Sequence, residues 1–198
     1  VGVGSLSHMA GILKGGGSME PCRAPVHRPE DRRQKERGLD YREVNGQAIL
    51  RRAAEVAAAG MHGLLLTGSA GTGKTMIARR IPTILPALTR EEDIEISRIY
   101  SICGLLPAGR PLLSERPFRS PHHTITARAL AGGGVPPRPG ELSLASGGVL
   151  FLDELPHFGR SAVEILRQPL EERKITVTRV SGNYEFPADF MMVAAMNL

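Results

Sequence analysis

Gly68-Ser69-Ala70-Gly71-Thr72-Gly73-Lys74-Thr75 sets glycines, a lysine and a hydroxyl at the spacing G-x-x-x-x-G-K-[ST]. An apolar stretch, Gly63 to Thr67, runs into it, and a helical stretch from about Gly73 to Arg80 runs out of it. Strand, glycine turn and helix in that order aim backbone N–H groups inward at a helix N-terminus, which is an anion nest. Gly68, Ser69, Ala70, Gly71, Thr72 and Gly73 would wrap the phosphates of a nucleotide. Lys74 would reach the β- and γ-phosphates, and the Thr75 hydroxyl would sit on Mg²⁺. The expected ligands are therefore ATP and Mg²⁺.

About eighty residues downstream, Val149-Leu150-Phe151-Leu152 is followed by Asp153-Glu154. Four apolar residues make a buried strand, and two carboxylates leave its C-terminal end, where open α/β sheets bind ligands. Asp153 would hold Mg²⁺, and Glu154 would orient and activate an attacking water. An acidic pair in this place also serves as a plain helix N-cap. The phosphate loop beside it favours the hydrolytic reading. Asn197 follows another apolar run, Met191 to Ala195. If that strand neighbours the carboxylate strand, Asn197 would hold the attacking water or touch the γ-phosphate. His122-His123 invites a metal reading. Adjacent residues of an extended segment point to opposite faces, however, and no cysteine lies close in the chain. A structural or oligomer-contact role is expected for this pair.

These groups need elements to hold them. Gln47 to Ala59 reads as a helix, with Ala48, Ile49, Ala53, Val56 and Ala57 as its apolar stripe and Gly60 as its stop. Glu91 to Cys103 reads as a second amphipathic helix and Ala162 to Glu172 as a third. Leu105 to Arg119 is proline-rich and reads as irregular. Thr124 to Ser143 carries Gly132-Gly133-Gly134 and Pro136-Pro137 and reads as a loop or hairpin insertion. Ile175 to Val180 and Tyr184 to Phe186 flank a Ser181-Gly182-Asn183 turn, the pattern of a hairpin. Strands alternating with helices predict an α/β fold with a three-layer αβα arrangement around a parallel sheet.

The chain has 198 residues, 41% hydrophobic and only 4% aromatic, so aliphatic side chains must fill the core. No apolar run is long enough for a membrane span. Residues 1–37 read as a tag-like, flexible linker: Val1 to about Ser18 is rich in Gly and Ser, and Glu20 to Arg37 is charged and carries three prolines. The ordered domain is expected over residues 38–198. The net charge is +5, but 18 basic and 16 acidic residues remain from Gly38 onward, a net of +2. Bulk charge therefore neither demands nor excludes a nucleic-acid partner. Two cysteines, Cys22 and Cys103, make no disulfide framework, and a cytoplasmic location is expected.

The phosphate loop, together with Phe151-Leu152-Asp153-Glu154-Leu155-Pro156, resembles the AAA+ ATPases of the magnesium-chelatase subunit I type, and most of all their ComM/YifB branch. The string Arg116-Pro117-Phe118-Arg119-Ser120-Pro121-His122-His123 is specific to that branch. Val44-Asn45-Gly46-Gln47, Pro139 to Ala145, Leu166 to Glu171 and Ala194 to Asn197 also carry the likeness. Ser69-Ala70 departs from it, since two prolines are usual there. The resemblance covers about Leu39 to Leu198.

It implies a P-loop NTPase core that assembles into a ring, usually a hexamer, with ATP between subunits. Val44, Gly46 and Gln47 would lie near the adenine, and Asn197 would be the sensor-1 asparagine. Lys74, Glu154 and Asn197 would be the catalytic set, with Thr75 and Asp153 on the metal. Two β-hairpin insertions would face a central pore and touch single-stranded or branched DNA, with Arg128, Arg138, Lys174 and Arg179 as the candidate cations. The family pattern continues past Asn197 into a last core strand, an arginine finger, a helical lid and a sensor-2 arginine. This chain, truncated before them, is expected to bind nucleotide weakly and hydrolyse it slowly. The driven process implied is DNA branch migration. The alternative is metal insertion into protoporphyrin by a magnesium chelatase.

Overall fold

The computed structural model describes residues 6–14, 39–107, 112–179 and 182–197. The chain divides into two units, Val1–Arg37 and Gly38–Leu198. In the first, Leu6–Leu13 is a short helix, α1, where the composition suggested only linker. Most of the expected linker, and Cys22 with it, lies outside the described residues.

The second unit is built on a four-stranded parallel sheet. Its strands are β1 (Leu64–Thr67), β2 (Phe118–Arg119), β5 (Val149–Leu152) and β8 (Met191–Met196), in the spatial order β1-β8-β5-β2. Every residue of β5 is fully buried, as a strand flanked by others and covered on both faces requires. The core falls into two clusters, one on each face of the sheet. One gathers Phe151, Val149, Met191 and Val193 with Ile77, Ile81 and Ala54. The other gathers Leu150, Leu152 and Ala194 with Leu130, Leu142 and Leu166. Alternate residues of β5 enter alternate clusters, which is the period-two geometry of a strand. The α/β sandwich expected from the sequence is the fold observed.

Around the sheet lie α2 (Ala48–Ala59), α3 (Lys74–Ala78), α4 (Arg90–Ile102), α5 (Ala127–Ala131), α6 (Glu141–Leu144), α7 (Arg160–Glu164) and α8 (Arg167–Glu172). Helix α4 begins at a capping box: Thr89 Oγ1 accepts from Glu92 N at 3.2 Å, and Glu92 Oε2 accepts from Thr89 N at 2.7 Å. Two antiparallel hairpins stand apart from the sheet, β3–β4 (Gly132–Gly133 with Arg138–Pro139) and β6–β7 (Lys174–Arg179 with Gly182–Pro187). The tip of the second, residues 180–181, is outside the described residues.

Four readings need correction. Of the expected stripe of α2 only Ala57 faces the core, beside Ala54 and Ala58, while Ile49 is 89% and Val56 52% exposed. Small alanines, with Leu50 partly buried beside them, make the contact with the core. Phe118–Arg119 is not irregular but the edge strand β2, too short for a periodic pattern to reveal. The helix expected over residues 162–172 is two helices, α7 and α8, with a turn at Ile165–Leu166. The segment 124–143 contains the expected hairpin, β3–β4, but sets it between two helices, α5 and α6, that the pattern did not suggest.

Candidate functional site

The phosphate loop joins β1 to α3, and its shape depends on glycine. Gly71 and Gly73 have φ of 79° and 84°, a region that side chains rarely adopt. Gly73 is the N-cap of α3. The first α3 amide bonded to a backbone carbonyl among the described residues is that of Ile77, which donates to Gly73 O at 3.0 Å. The N–H groups of Gly73 to Met76 are thus the orphan donors of a helix start.

Lys74 is only 8% exposed. Its Nζ donates to Gly68 O and Ser69 O, both at 2.8 Å, and to Asn197 Oδ1 at 3.0 Å. The ammonium is therefore held in the cradle with all three donors engaged, and a phosphate oxygen could replace any of these acceptors. Gln47, in the left-handed region just before α2, donates to Thr72 O at 2.8 Å and so ties the loop to the segment expected near the adenine. Gly46 sits beside it, also at positive φ, whereas the Val44 side chain is buried in the core. A cleft of about 730 Å³ runs from Lys74 and Thr72 along Gln47 and Ile49 to Leu65.

The other wall is the end of β5. Because β1 and β5 both pair with β8, their C-terminal ends converge across it. Thr75 Oγ1 donates to Asp153 Oδ2 at 2.8 Å, and Glu154 N donates to Asp153 Oδ1 at 3.1 Å. A hydroxyl and a carboxylate meeting in this way are hard oxygen donors of the kind Mg²⁺ takes. Lys74, Thr75, Asp153 and Asn197, far apart in sequence, are brought into one constellation. Glu154 leaves the strand in the left-handed conformation, φ 55°, and opens the single 3-10 turn Leu155–His157.

The string Arg116 to His123 lies along the free side of β5. Arg116 donates to Pro86 O at 2.5 Å and Gly147 O at 2.6 Å. Pro117 O accepts from Val149 N at 2.8 Å, and a Cβ on Gly148 would overlap the Pro117 backbone. Phe118 stacks on Phe151 with centroids 6.0 Å apart. Arg119 makes a bidentate pair with Glu141, both contacts 2.6 Å. Those hydrogen bonds raise the Arg119 pKa. Beside it, burial raises the Tyr100 phenol, whose hydroxyl donates to Leu144 O at 3.1 Å.

The string ends on His122 and His123, whose rings lie 4.1 Å apart instead of pointing to opposite faces, because the chain turns there and is not extended. His123 Nδ1 and His157 Nδ1 each lie 3.4 Å from Glu154 Oε2. Sequence reasoning gave Arg116, Arg119 and Glu141 no role beyond the family likeness and did not single out His157. The last could have been found, since a His three residues after Glu154 in a proline-containing turn falls on the same side.

The four candidate cations separate. Arg128, Arg138 and the three glycines line one hollow of about 360 Å³, and a Cβ on Gly133 would overlap the Arg179 guanidinium. Lys174 is five residues from Arg179 along β6, roughly 17 Å away, and pairs with Glu185 at 2.9 Å. Among the described residues, no helix is long and apolar enough to cross a membrane.

Comparison with known proteins gives a consistent result. Residues 40–198 match the model of the family described as magnesium chelatase, subunit ChlI. The chain is 48% identical over 159 residues to the competence protein ComM of Haemophilus influenzae, covering 80% of this chain and 31% of that protein. It is 47% identical over 158 residues to the uncharacterized protein YifB of Salmonella typhimurium, with the same coverage of both chains. It therefore spans about a third of the length of these curated relatives. The crystal structure of NtrX from Brucella abortus in complex with ADP aligns with a TM-score of 0.53 at 22% identity. The alignment covers 80% of this chain and 31% of that one, and the likeness is one of fold.

Proposed function

We propose that this chain, which belongs to the magnesium chelatase subunit ChlI family, is the nucleotide-binding core of an ATP-hydrolysing motor. The observation that carries the reading is the meeting of Thr75 with Asp153 and of Lys74 with Asn197 across the β1–β8–β5 strand ends. The loop amides and Lys74 would bind the β- and γ-phosphates. Thr75 and Asp153 would hold Mg²⁺, which supplies charge neutralisation at the phosphates. Glu154 would orient the attacking water and accept its proton, and Asn197 would position that water or the γ-phosphate. Gly46 and Gln47 would border the adenine, and Val44, whose side chain is buried, would do so through its backbone alone. The decisive experiment is Glu154→Gln: nucleotide should still bind while single-turnover hydrolysis collapses. Undiminished turnover would refute the assignment.

The driven process is proposed to be DNA remodelling of the ComM type, in a cytoplasmic ring, usually a hexamer, of such motors. Support comes from 48% identity to a competence protein and from Arg128, Arg138 and Arg179 gathered at the two hairpins. Stimulation of ATP hydrolysis by single-stranded or branched DNA, lost in Arg128→Ala/Arg179→Ala and retained in Lys174→Ala, would support it. The second reading, a chelatase motor driving Mg²⁺ into protoporphyrin, is favoured by the family match itself. No response to any DNA would shift the assignment to it.

A further inference from the structure

His123, Glu154 and His157 present ligand atoms that all lie within 4.8 Å of one another. They come from two segments. His123 ends the string beside β5, and its ring is backed by His122, whose Nδ1 is engaged with Thr124 Oγ1 at 2.9 Å. Glu154 and His157 are the ends of one 3-10 turn closed by His157 N donating to Glu154 O at 2.8 Å. In such a turn residues three apart eclipse one another, so the two side chains project together. Both histidines offer the same nitrogen, Nδ1, to the same oxygen, Glu154 Oε2, each at 3.4 Å.

We propose that these three residues form a binding site for a borderline-soft divalent cation, Zn²⁺ being the type case, distinct from the Mg²⁺ position between Thr75 and Asp153. Zinc binds imidazole nitrogen at about 2.0–2.1 Å and carboxylate oxygen at about 2.0–2.2 Å. A tetrahedron of that size has edges of about 3.3–3.5 Å, and the two nitrogen-to-oxygen edges already have this length. Only the edge between the histidines must close. Two imidazoles and a carboxylate with a fourth position left to water is a known zinc donor set. Magnesium, which demands oxygen ligands, does not compete for it. Partial exposure of His157 gives the ion a path in.

The consequence rests on the hydrolytic role proposed for Glu154. A cation on Oε2 draws charge from the carboxylate, lowers its basicity and holds its orientation, so Glu154 takes a proton from water less readily. Zn²⁺ is therefore an inhibitor of turnover that leaves nucleotide binding intact.

The test is titration of the chain with Zn²⁺ against a chromogenic chelator, without nucleotide or Mg²⁺, in a Cys22→Ser/Cys103→Ser background. One equivalent should bind, more than tenfold more weakly in His123→Ala and in His157→Ala, and unchanged in His62→Ala. Co²⁺ at the same site should give the intense visible absorption of tetrahedral nitrogen and oxygen ligation in the parent and lose it in His157→Ala. Thermal unfolding of each variant in EDTA separates misfolding from ligand loss, and His157→Gln, which keeps a polar side chain, should also lose the ion. Zn²⁺ affinity indifferent to both histidines would overturn the proposal and leave the cluster an ion-paired support for Glu154. Zn²⁺ bound by the histidines without slowing single-turnover hydrolysis would leave the site standing and overturn the inhibition.

Discussion

The two walls of the cleft are built by different means. On the side of β1 and α3, the phosphate loop is shaped by its own backbone: three glycines at positive φ, a helix start, and a lysine folded onto the loop carbonyls. On the side of β5, the local contacts are few, Glu154 N on Asp153 Oδ1 and His157 on Glu154 Oε2. The rest of the support is distant: Phe118 on Phe151, Arg119 on Glu141, Arg116 across two carbonyls, and His123 on the Glu154 oxygen. One wall is self-contained, and the other is assembled from distant segments. Damage to the first should appear in nucleotide binding, and damage to the second in turnover and stability.

The largest expected effect falls on the second wall. Glu154→Gln should lower single-turnover hydrolysis by about 10²–10⁴-fold, the usual contribution of a general base, with ATP affinity changed less than about threefold, well under 1 kcal/mol. Lys74→Ala should do the reverse in kind. It removes a charge-assisted donor worth about 1.5–3 kcal/mol, so ATP affinity measured by fluorescence or calorimetry should fall roughly 10- to 100-fold. If Glu154→Gln also abolished binding, the division between the walls would be wrong.

Next comes the anchor of β5. Phe151 is fully buried and stacks on Phe118. Phe151→Ala should cost about 3–5 kcal/mol by cavity formation, read as a lower denaturant midpoint. Glu141→Gln should cost less, about 1.5–3 kcal/mol, because it leaves the half-buried Arg119 with a neutral acceptor. The contrast sharpens if Glu141→Gln also slows turnover more than it weakens ATP binding, since Arg119 belongs to the string that leads to His123.

The first wall was legible in the sequence because its chemistry is its spacing. Glycines at fixed intervals before Lys74-Thr75 state a backbone conformation, and that conformation is the site. Of the second wall only Asp153 and Glu154 could be read, as polar residues ending an apolar run. Arg116, Arg119 and Glu141 were invisible as a group because their meaning lies in contacts across 22 to 31 residues. Two-residue strands such as β2 show no periodicity, so the neighbour that carries His123 beside Glu154 could not be foreseen. The assumption of an extended chain at His122-His123 then sent the two rings to opposite faces.

Helix α2 draws the same distinction on a smaller scale and gives the smallest effect. Its amphipathic pattern suggested that Ile49 and Val56 enter the core, yet Ala54, Ala57 and Ala58 do so, with Leu50 partly buried against the same cluster. Ile49 is 89% exposed and instead lines the open cleft beside Leu65 and the phosphate loop. Ile49→Ser should therefore change unfolding free energy by no more than about 0.5 kcal/mol, whereas Ala54→Ser, buried to 0% exposure, should cost about 1–3 kcal/mol by placing a hydroxyl in an apolar cluster. If Ile49→Ser proved the costlier of the two in this chain alone, the helix would present to the sheet the face that the sequence suggested, and the packing of α2 behind the phosphate loop would have to be redrawn.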